Sequence, residues 1–169
     1  VSGSVQQFVE EMNRKAQALG MADTHFVNPH GLSDPNHFTT AYDLGTIARY
    51  ALRNSKFQEI VRSQEKQPQK PGEIRSFFST NRLLWSYGGC DGVKTGTTEA
   101  AGQCLVASAS KGGRQLVTVV LHSDDRWRDA AVLLDYGFGS TRLLKPASAG
   151  QVTQFLLPGG LKHPPIKDI

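Results

Sequence analysis

The amino-acid sequence predicts an α+β fold in which an antiparallel sheet is flanked by helices. Three apolar-rich segments follow one another in the second half of the chain, separated by short glycine-containing turns, and this is how antiparallel strands connect. On either side of them lie segments whose apolar residues recur at helical spacing. The composition, with 38% hydrophobic residues, 17 Gly and 8 Pro, is that of a globular domain rich in turns.

The chain begins with a predicted helix. Ser4 and Gln7 form a capping box, and the apolar stripe that follows ends at Gly20, so we expect one face of this helix to lie in the core. Residues 21–38 are rich in Asn, Asp, Pro and Gly, which predicts a structured loop. Its histidines have no spacing typical of metal ligands, and we interpret them as hydrogen-bonded loop residues. They are His25, His30 and His37.

A second helix is predicted to begin at Thr40, with Asp43 in its first turn, and to close at Asn54. A short third helix is expected around residues 56–61. Residues 67–72 contain two prolines and a glycine, which cannot sustain a strand ladder, so this segment is predicted to be a loop.

The strands are predicted over residues 93–97, 104–110 and 115–122, with a turn at Lys111-Gly112-Gly113 between the last two. Asp124 or Asp125 then caps a further helix that carries apolar residues on one face. After residue 139 the pattern weakens into short strands and loops.

The two cysteines, Cys90 and Cys104, could form a disulfide or serve as small buried hydrophobes. If the chain turns a hairpin between residues 96 and 102, Cys90 opposes residue 109 and Cys104 opposes residue 95. The two side chains would then be separated by about 16 Å along the ladder. This separation favours structural thiols over a disulfide.

The most informative motif is Lys94-Thr95-Gly96. A lysine ammonium, a threonine hydroxyl and a glycine without a Cβ together can bind a carboxylate and let a ligand backbone lie against the strand. Three residues alone are a weak signal, and an ordinary exposed strand end is the alternative interpretation. The neighbouring sequence distinguishes the two.

Residues 81–85, 91–98 and 101–109 closely resemble the third motif of the serine-type D-alanyl-D-alanine carboxypeptidases, which are low-molecular-mass penicillin-binding proteins. The resemblance covers residues 4–138 in one order. The other matching segments are Phe8–Asn13, Ala18–Met21, Thr24–Leu32 and Thr39–Leu44.

The resemblance implies the penicillin-binding protein/β-lactamase-like transpeptidase fold and the cleavage of a terminal D-alanine from peptidoglycan stem peptides through an acyl-serine intermediate. It implies that Lys94 supplies positive charge beside the nucleophile and that Thr95 binds the substrate carboxylate. Gly96 would admit the substrate strand, and a backbone N–H near Thr97 would complete the oxyanion hole. Stem peptide and β-lactam antibiotics are the implied ligands, with no cofactor and no metal.

Arg126 is a further candidate for substrate binding, because its position ten residues before Tyr136 is similar to that of a family arginine at the carboxylate-binding end. The alternative is a surface ion pair with Asp125 or Asp129. Some relatives carry a second arginine where Thr80 falls, and Arg82 is about two positions out of register to replace it.

The family's nucleophile lies in a Ser-x-x-Lys motif, which is followed by a Ser-x-Asn motif, and both are expected upstream of Val1. Three strings in the chain match these patterns, but we interpret them as coincidence because a nucleophilic serine needs its lysine one turn later at a helix start. They are Ser63 with Lys66, Ser108 with Lys111, and Ser79 with Asn81.

We therefore expect residues 1–140 to be the C-terminal portion of the catalytic domain, incomplete at its N-terminus, and residues 141–169 to begin a small β-rich region. The missing N-terminal part of the same domain is an expected partner. The resemblance implies an exported protein at the extracytoplasmic face of the bacterial membrane or in the cell wall. The chain alone is expected to be inactive.

The net charge of +4 suits anionic cell-wall polymers. Because the basic residues of the middle section are interspersed with Glu and scattered over helix and loop, nucleic acid is not an expected partner. Two other functions remain open from the sequence: a β-lactamase, which shares the third motif, and a non-catalytic binder of wall peptides that has lost the nucleophile.

Overall fold

The computed structural model describes residues 2–67 and 75–143, and along them runs of helices and runs of antiparallel strands follow one another, as in an α+β domain. In chain order the elements are α1 Val5–Ala18, α2 Ala41–Ala51, α3 Ser55–Val61, β1 Glu65–Lys66, β2 Phe77–Phe78, α4 Leu83–Ser86, β3 Cys90–Thr98, β4 Gly102–Lys111, β5 Arg114–Ser123 and α5 Arg126–Ser140. The predicted fold class is confirmed.

The main sheet has three antiparallel strands in the order β3-β4-β5. Cys90 opposes Ala109, as predicted, but Cys104 opposes Gly96 rather than residue 95. The difference of one residue arises because a bulge at Asp91 separates the paired positions Cys90 and Gly92. Both cysteines are free thiols in this structure.

Helices cover the two faces of this sheet, with α5 on one face and α2 on the other, as two residues of β5 show. Leu116 lies against α5 at Gly137, whereas Val119 lies against α2 at Gly45, and residues three apart on a strand point to opposite faces. The face under α5 carries the main buried cluster, which unites α4, β4, β5 and α5. Its members are Leu83, Leu105, Ala107, Ala109, Val120, Ala130 and Leu134.

The helix N-termini follow the predicted capping pattern. The Ser4 hydroxyl accepts from the Gln7 N–H at 3.1 Å, and the Thr40 hydroxyl accepts from the Asp43 N–H at 3.2 Å. Asp125, rather than Asp124, caps α5.

Two predictions about these helices are wrong. Asn54 does not close α2 but begins α3, because its side-chain oxygen accepts from the N–H groups of Lys56 and Phe57. The apolar stripe of α1 is not in the core: Ala16 is its buried residue, whereas Val5 is 66% exposed. Val9 and Met12 of the same stripe are half-buried.

The loop between α1 and α2 is held by specific hydrogen bonds, as its composition predicts. The Asn13 side chain donates to the Phe26 carbonyl and accepts from the Phe26 N–H, both at 2.8 Å. Nδ1 of His25 donates to the Asn36 carbonyl at 2.6 Å, and Nδ1 of His37 accepts from the Val27 N–H at 3.3 Å.

The short hairpin of β1 and β2 and the single turn of α4 are absent from the sequence prediction, because elements of two to four residues leave no periodic pattern. Most of the loop predicted over 67–72 lies outside the described residues. The same holds for the β-rich region predicted over 141–169, of which only residues 141–143 are described. No helix among the described residues is both long and apolar enough to cross a bilayer.

Candidate functional site

The candidate site lies on β3, the strand that carries Lys94, Thr95, Gly96 and Thr97. Its pairing with β4 leaves the other edge of β3 without a strand partner among the described residues. Lys94, Gly96 and Thr97 are exposed and Thr95 is half-buried. Since side chains alternate along a strand, Lys94 points to the opposite face from Thr95 and Thr97.

Thr95 is paired with a residue that sequence reasoning did not assign to the site. Its Oγ1 lies 2.7 Å from Oγ1 of Thr80, which precedes α4. In the sequence, Thr80 is marked only as a position at which the resemblance implies an arginine in some family members, so its hydroxyl was not assigned to the site.

Arg126 reaches the same strand from the first turn of α5. Its Nη1 donates to the Gly96 carbonyl at 2.8 Å, to Thr97 Oγ1 at 2.7 Å and to the Cys104 carbonyl at 3.3 Å. The two aspartates that were candidates for an ion pair have other partners. Asp125 accepts from the Arg128 N–H, and Asp129 accepts from the Ser123 hydroxyl.

Arg82 lies near Arg126, because both side chains contact the ring of Trp127. Its Cζ is 6.0 Å from the ring centroid of Trp127, and Cζ of Arg126 is 4.7 Å from the same centroid. Sequence reasoning singled out Arg82 but did not include Trp127, whose apolar character marked it only as a core residue of α5.

Buried polar groups hold β3 in position. The Asn81 side chain is 2% exposed, donates to the Gly92 carbonyl at 2.8 Å and accepts from the Leu83 N–H at 3.2 Å. An unpaired buried amide would cost about 1–3 kcal/mol, so Asn81 ties α4 firmly to the strand. At the other end, the Ser33 hydroxyl donates to Thr98 Oγ1 at 2.8 Å, which links the loop before α2 to the tip of β3.

Asp91 anchors the beginning of β3 to β4 and, across it, to β5. Its carboxylate accepts from the hydroxyls of Ser108 at 2.5 Å and Ser110 at 2.6 Å, and from the side-chain amide of Gln115 at 2.9 Å. Burial raises the pKa of the adjacent Cys90 thiol. These groups lie at the beginning of β3, three and four residues before Lys94, and hold the strand in the sheet.

The serines of the chance motifs are engaged in local structure. Ser108 is buried on β4 and bound to Asp91, whereas Nζ of Lys111 lies 4.0 Å from the Tyr87 ring centroid. Ser63 donates to the Glu59 carbonyl at 2.7 Å, at the end of α3. Ser79 accepts from the N–H of Asn81, whose own side chain is buried. None of these serines has a lysine ammonium as hydrogen-bond partner within the described residues.

The site is an open strand edge rather than a closed pocket. A cavity of about 600 Å³ lies elsewhere, between α2 and β5, with Tyr42, Arg49 and Val119 in its lining, and it includes none of the candidate residues. The site has donors on both sides of this strand: the Thr95 hydroxyl and the Arg126 guanidinium on one face, and the Lys94 ammonium, which donates to the Thr95 carbonyl, on the other. The hydroxyl and the guanidinium can bind a carboxylate at the end of an extended ligand.

Comparison with known proteins identifies the family of the chain. The D-alanyl-D-alanine carboxypeptidase family matches residues 1–125. The carboxypeptidase DacF of Bacillus subtilis is 38% identical over 142 residues, which are 82% of this chain and 36% of that protein. The D-alanyl-D-alanine carboxypeptidase of Streptomyces sp. strain K15 is 37% identical over 79% of this chain and 49% of its own.

Solved structures give the same result. The crystal structure of the Streptomyces K15 DD-transpeptidase superposes with a TM-score of 0.76 at 35% identity and covers 80% of this chain and 55% of that one. A D-alanyl-D-alanine carboxypeptidase from Mycobacterium tuberculosis superposes with a TM-score of 0.75 at 33% identity, over 86% and 57% of the two chains. The chain thus spans about half the length of these relatives, or less, and it belongs to the D-alanyl-D-alanine carboxypeptidase family.

Proposed function

We propose that the complete protein carrying this chain removes the terminal D-alanine from peptidoglycan stem peptides through an acyl-serine intermediate. In this proposal the chain supplies the carboxylate-binding strand, and another part of the domain supplies the nucleophilic serine and its lysine base. The observation that supports it most is the contact of Arg126 with Gly96 and Thr97, which brings a second cation to the strand of Lys94.

Carboxylate binding follows from the charges and hydroxyls on this edge. A hydrogen bond to a charged group contributes about 1.5–3 kcal/mol, so two or three donors acting together suffice to select a peptide with a free C-terminus. Nη1 of Arg126 is occupied by the strands, whereas Nη2 makes no hydrogen bond within the described part of the chain and is free to donate to a ligand. Thr95 provides the hydroxyl donor beside it.

The free edge of β3 gives the substrate backbone a place to bind. An extended peptide that adds to a sheet edge gains main-chain hydrogen bonds, and Gly96 presents no side chain to obstruct it. A backbone N–H near Thr97 would then donate to the oxyanion as the serine attacks the carbonyl. β-Lactam antibiotics, which present a carboxylate and a strained amide, would acylate the same serine.

The proposal extends to the organisation of the whole protein. In it, residues 1–140 are the C-terminal portion of the catalytic domain. The N-terminal part of the domain is the partner that brings the nucleophile to the Lys94 face. Peptidoglycan lies outside the cytoplasmic membrane, so we place the protein at the extracytoplasmic face.

A β-lactamase and a non-catalytic wall-peptide binder are the alternatives. The match to carboxypeptidases along most of the chain favours a carboxypeptidase over a β-lactamase. The binder would keep the carboxylate site without a nucleophile.

Labelling of the complete protein with a fluorescent penicillin, combined with an assay for released D-alanine, tests the proposal. We expect covalent labelling and release of D-alanine by the wild-type protein. We expect a loss of about 10²–10³-fold in both for Lys94→Met, because a positive charge at the reacting centre is removed. Lys56→Met is the matched control, since Lys56 is an exposed residue of α3 paired with Glu59 at 2.9 Å.

The outcomes separate the three functions. Rapid antibiotic turnover without D-alanine release would identify a β-lactamase, and peptide binding without labelling would identify a binder. Either result would contradict the proposed carboxypeptidase. The isolated chain serves as the negative control, because we expect it to remain unlabelled.

A further inference from the structure

Trp127 is the residue that connects the two arginines near β3. Its half-buried indole packs on the core cluster beneath α5. Cζ of Arg126 lies 4.7 Å and Cζ of Arg82 lies 6.0 Å from the centroid of this ring. Both distances are within the range at which a guanidinium is attracted by the face of an indole.

Arg126 needs such a support if it is to bind a ligand. A free arginine side chain loses rotamer entropy when it is fixed in one direction. Its three hydrogen bonds to the strands all leave from Nη1, and its Nε is buried and makes no hydrogen bond with the described residues. The hydrogen bonds therefore hold the Nη1 end of the guanidinium, and neither Nε nor Nη2 has a hydrogen-bond partner among the described residues to restrain the rest of the group.

Stacking on an aromatic ring supplies the missing restraint. A guanidinium over a ring keeps its N–H donors available at the edge of its plane. With Nη1 directed at the strands and one face over the indole, Nη2 has a defined direction. The covered Nε is consistent with this arrangement, because it lies against the protein rather than in water.

Arg82 adds a second positive charge to the same ring from α4. The residue follows Thr80 and Asn81, which contact Thr95 and Gly92 of β3, so its backbone is fixed relative to the site. The indole thus joins α4 and α5 at the side of the strand where Thr95 and Thr97 point. A second cation there makes the local potential more favourable for an anion.

We propose that Trp127 is a positioning residue, which stacks under Arg126 and directs its Nη2 toward the substrate carboxylate, with Arg82 held over the same ring as a second positive charge. This inference rests on the proposed function. It assigns to Trp127 a role in substrate affinity and not in the chemical step.

A double-mutant cycle on the complete protein tests the inference, with kcat and KM measured for a D-Ala-D-Ala peptide. The four proteins are the wild type, Trp127→Leu, Arg126→Ala and the double variant. A cation–π contact contributes about 0.5–2 kcal/mol, so we expect Trp127→Leu to raise KM by about 2- to 30-fold with little change in kcat. In the Arg126→Ala background the same substitution should change KM by less than about twofold, because Trp127 acts through Arg126.

Two further variants separate positioning from packing. Trp127→Phe keeps a ring under the guanidinium and should raise KM less than Trp127→Leu does. If Trp127→Leu does not fold, Trp127→Phe takes its place in the double-mutant cycle. Trp85→Leu is the control for loss of the other tryptophan, which is 51% exposed on α4, and should leave KM within about twofold of wild type.

The outcomes distinguish this inference from the proposed function. If Trp127→Leu raises KM equally with and without Arg126, Trp127 has only a structural role and the inference is overturned. If Arg126→Ala itself leaves KM and kcat unchanged, the carboxylate site of the proposed function is wrong, and the inference fails with it. An effect of Trp127→Leu on kcat alone would also overturn the inference.

Discussion

Arg126 occupies a point where acceptors from two strands converge. Its Nη1 donates hydrogen bonds to the Gly96 carbonyl, the Cys104 carbonyl and the Thr97 hydroxyl. This single residue makes α5 part of the candidate site, since no other element brings a guanidinium into contact with β3 in the described residues.

Cys90 allows a residue-scale prediction about pH. Burial raises the pKa of its thiol in the folded state above the unfolded value of about 8.5. The folded state therefore holds the proton more tightly, and the stability that this contributes is fully present below pH 8.5 and is lost as pH rises through the folded pKa. We expect the free energy of unfolding to fall more steeply between pH 8 and 9.5 in the wild type than in Cys90→Ala.

Urea unfolding of the two proteins at a series of pH values, under reducing conditions, measures this difference. The thiol is only partly buried, so the extra slope should be a fraction of the roughly 1.4 kcal/mol per pH unit that one proton can give. Identical slopes for the two proteins would show that the thiol has the same pKa folded and unfolded. The pKa of Tyr87 is also raised, mainly by burial. Measurements are therefore made below pH 9.5, where ionisation of this tyrosine contributes little to the slope.

At the scale of elements, the close packing of α3 on the sheet depends on Gly92. A Cβ at this position would lie 2.9 Å from Cγ2 of Val61, which is too close, and 3.2 Å from Oγ of Ser108, which is a tight contact. The absence of a side chain lets α3 approach β3 two residues before Lys94. The packing of this helix thus helps to fix the strand that carries the candidate site.

Gly92→Ala should lower the free energy of unfolding by about 1–3 kcal/mol, because it overpacks the contact with Val61. In a Val61→Ala background the added methyl finds space, so the two substitutions should be less costly together than their sum by about 1 kcal/mol. Urea unfolding measures each value, and strict additivity would contradict this view of the contact. Gly139→Ala is the control, since its Cβ meets nothing within 4 Å in α5 and should not destabilise the protein.

The same scale shows why parts of the fold could be predicted and others could not. The capping residues Ser4 and Thr40 act on N–H groups three positions away, so a local pattern was enough to find them. The hairpin register was correct at Cys90 and one residue wrong at Cys104, because the bulge at Asp91 depends on side-chain partners on two other strands. Local sequence does not encode those partners.

In the candidate site, too, some residues could be predicted from the sequence and others could not. Lys94, Thr95, Gly96 and Thr97 are contiguous, so a motif identified them together. Arg126 came from a family spacing, and the structure brings it to the predicted strand. Thr80 and Trp127 reach the site only through the packing of α4 and α5, and no pattern in the sequence marks such contacts.

At the scale of the whole molecule, the chain covers 36% to 49% of the length of two relatives that it resembles. Apolar side chains on the outer faces of α1 and α5 are exposed, among them Val5 at 66% and Val132 at 58%. In our proposal the remainder of the catalytic domain supplies the nucleophile, and we expect it to cover surfaces of this kind. The strand edge of β3 would then lie in the cleft between the two parts.

The central claim is that the edge of β3 binds the terminal carboxylate of the substrate. The most direct measurement is the ratio of kcat/KM for a D-Ala-D-Ala peptide with a free C-terminal carboxylate to that for its C-terminal amide, in the complete protein and in its Thr95→Val variant. We predict a ratio of at least about tenfold in the wild type, since each hydrogen bond to a charged group contributes about 1.5–3 kcal/mol, and a clearly smaller ratio in the variant. Equal cleavage of the two peptides by the wild type, or a ratio that Thr95→Val leaves unchanged, would contradict the claim.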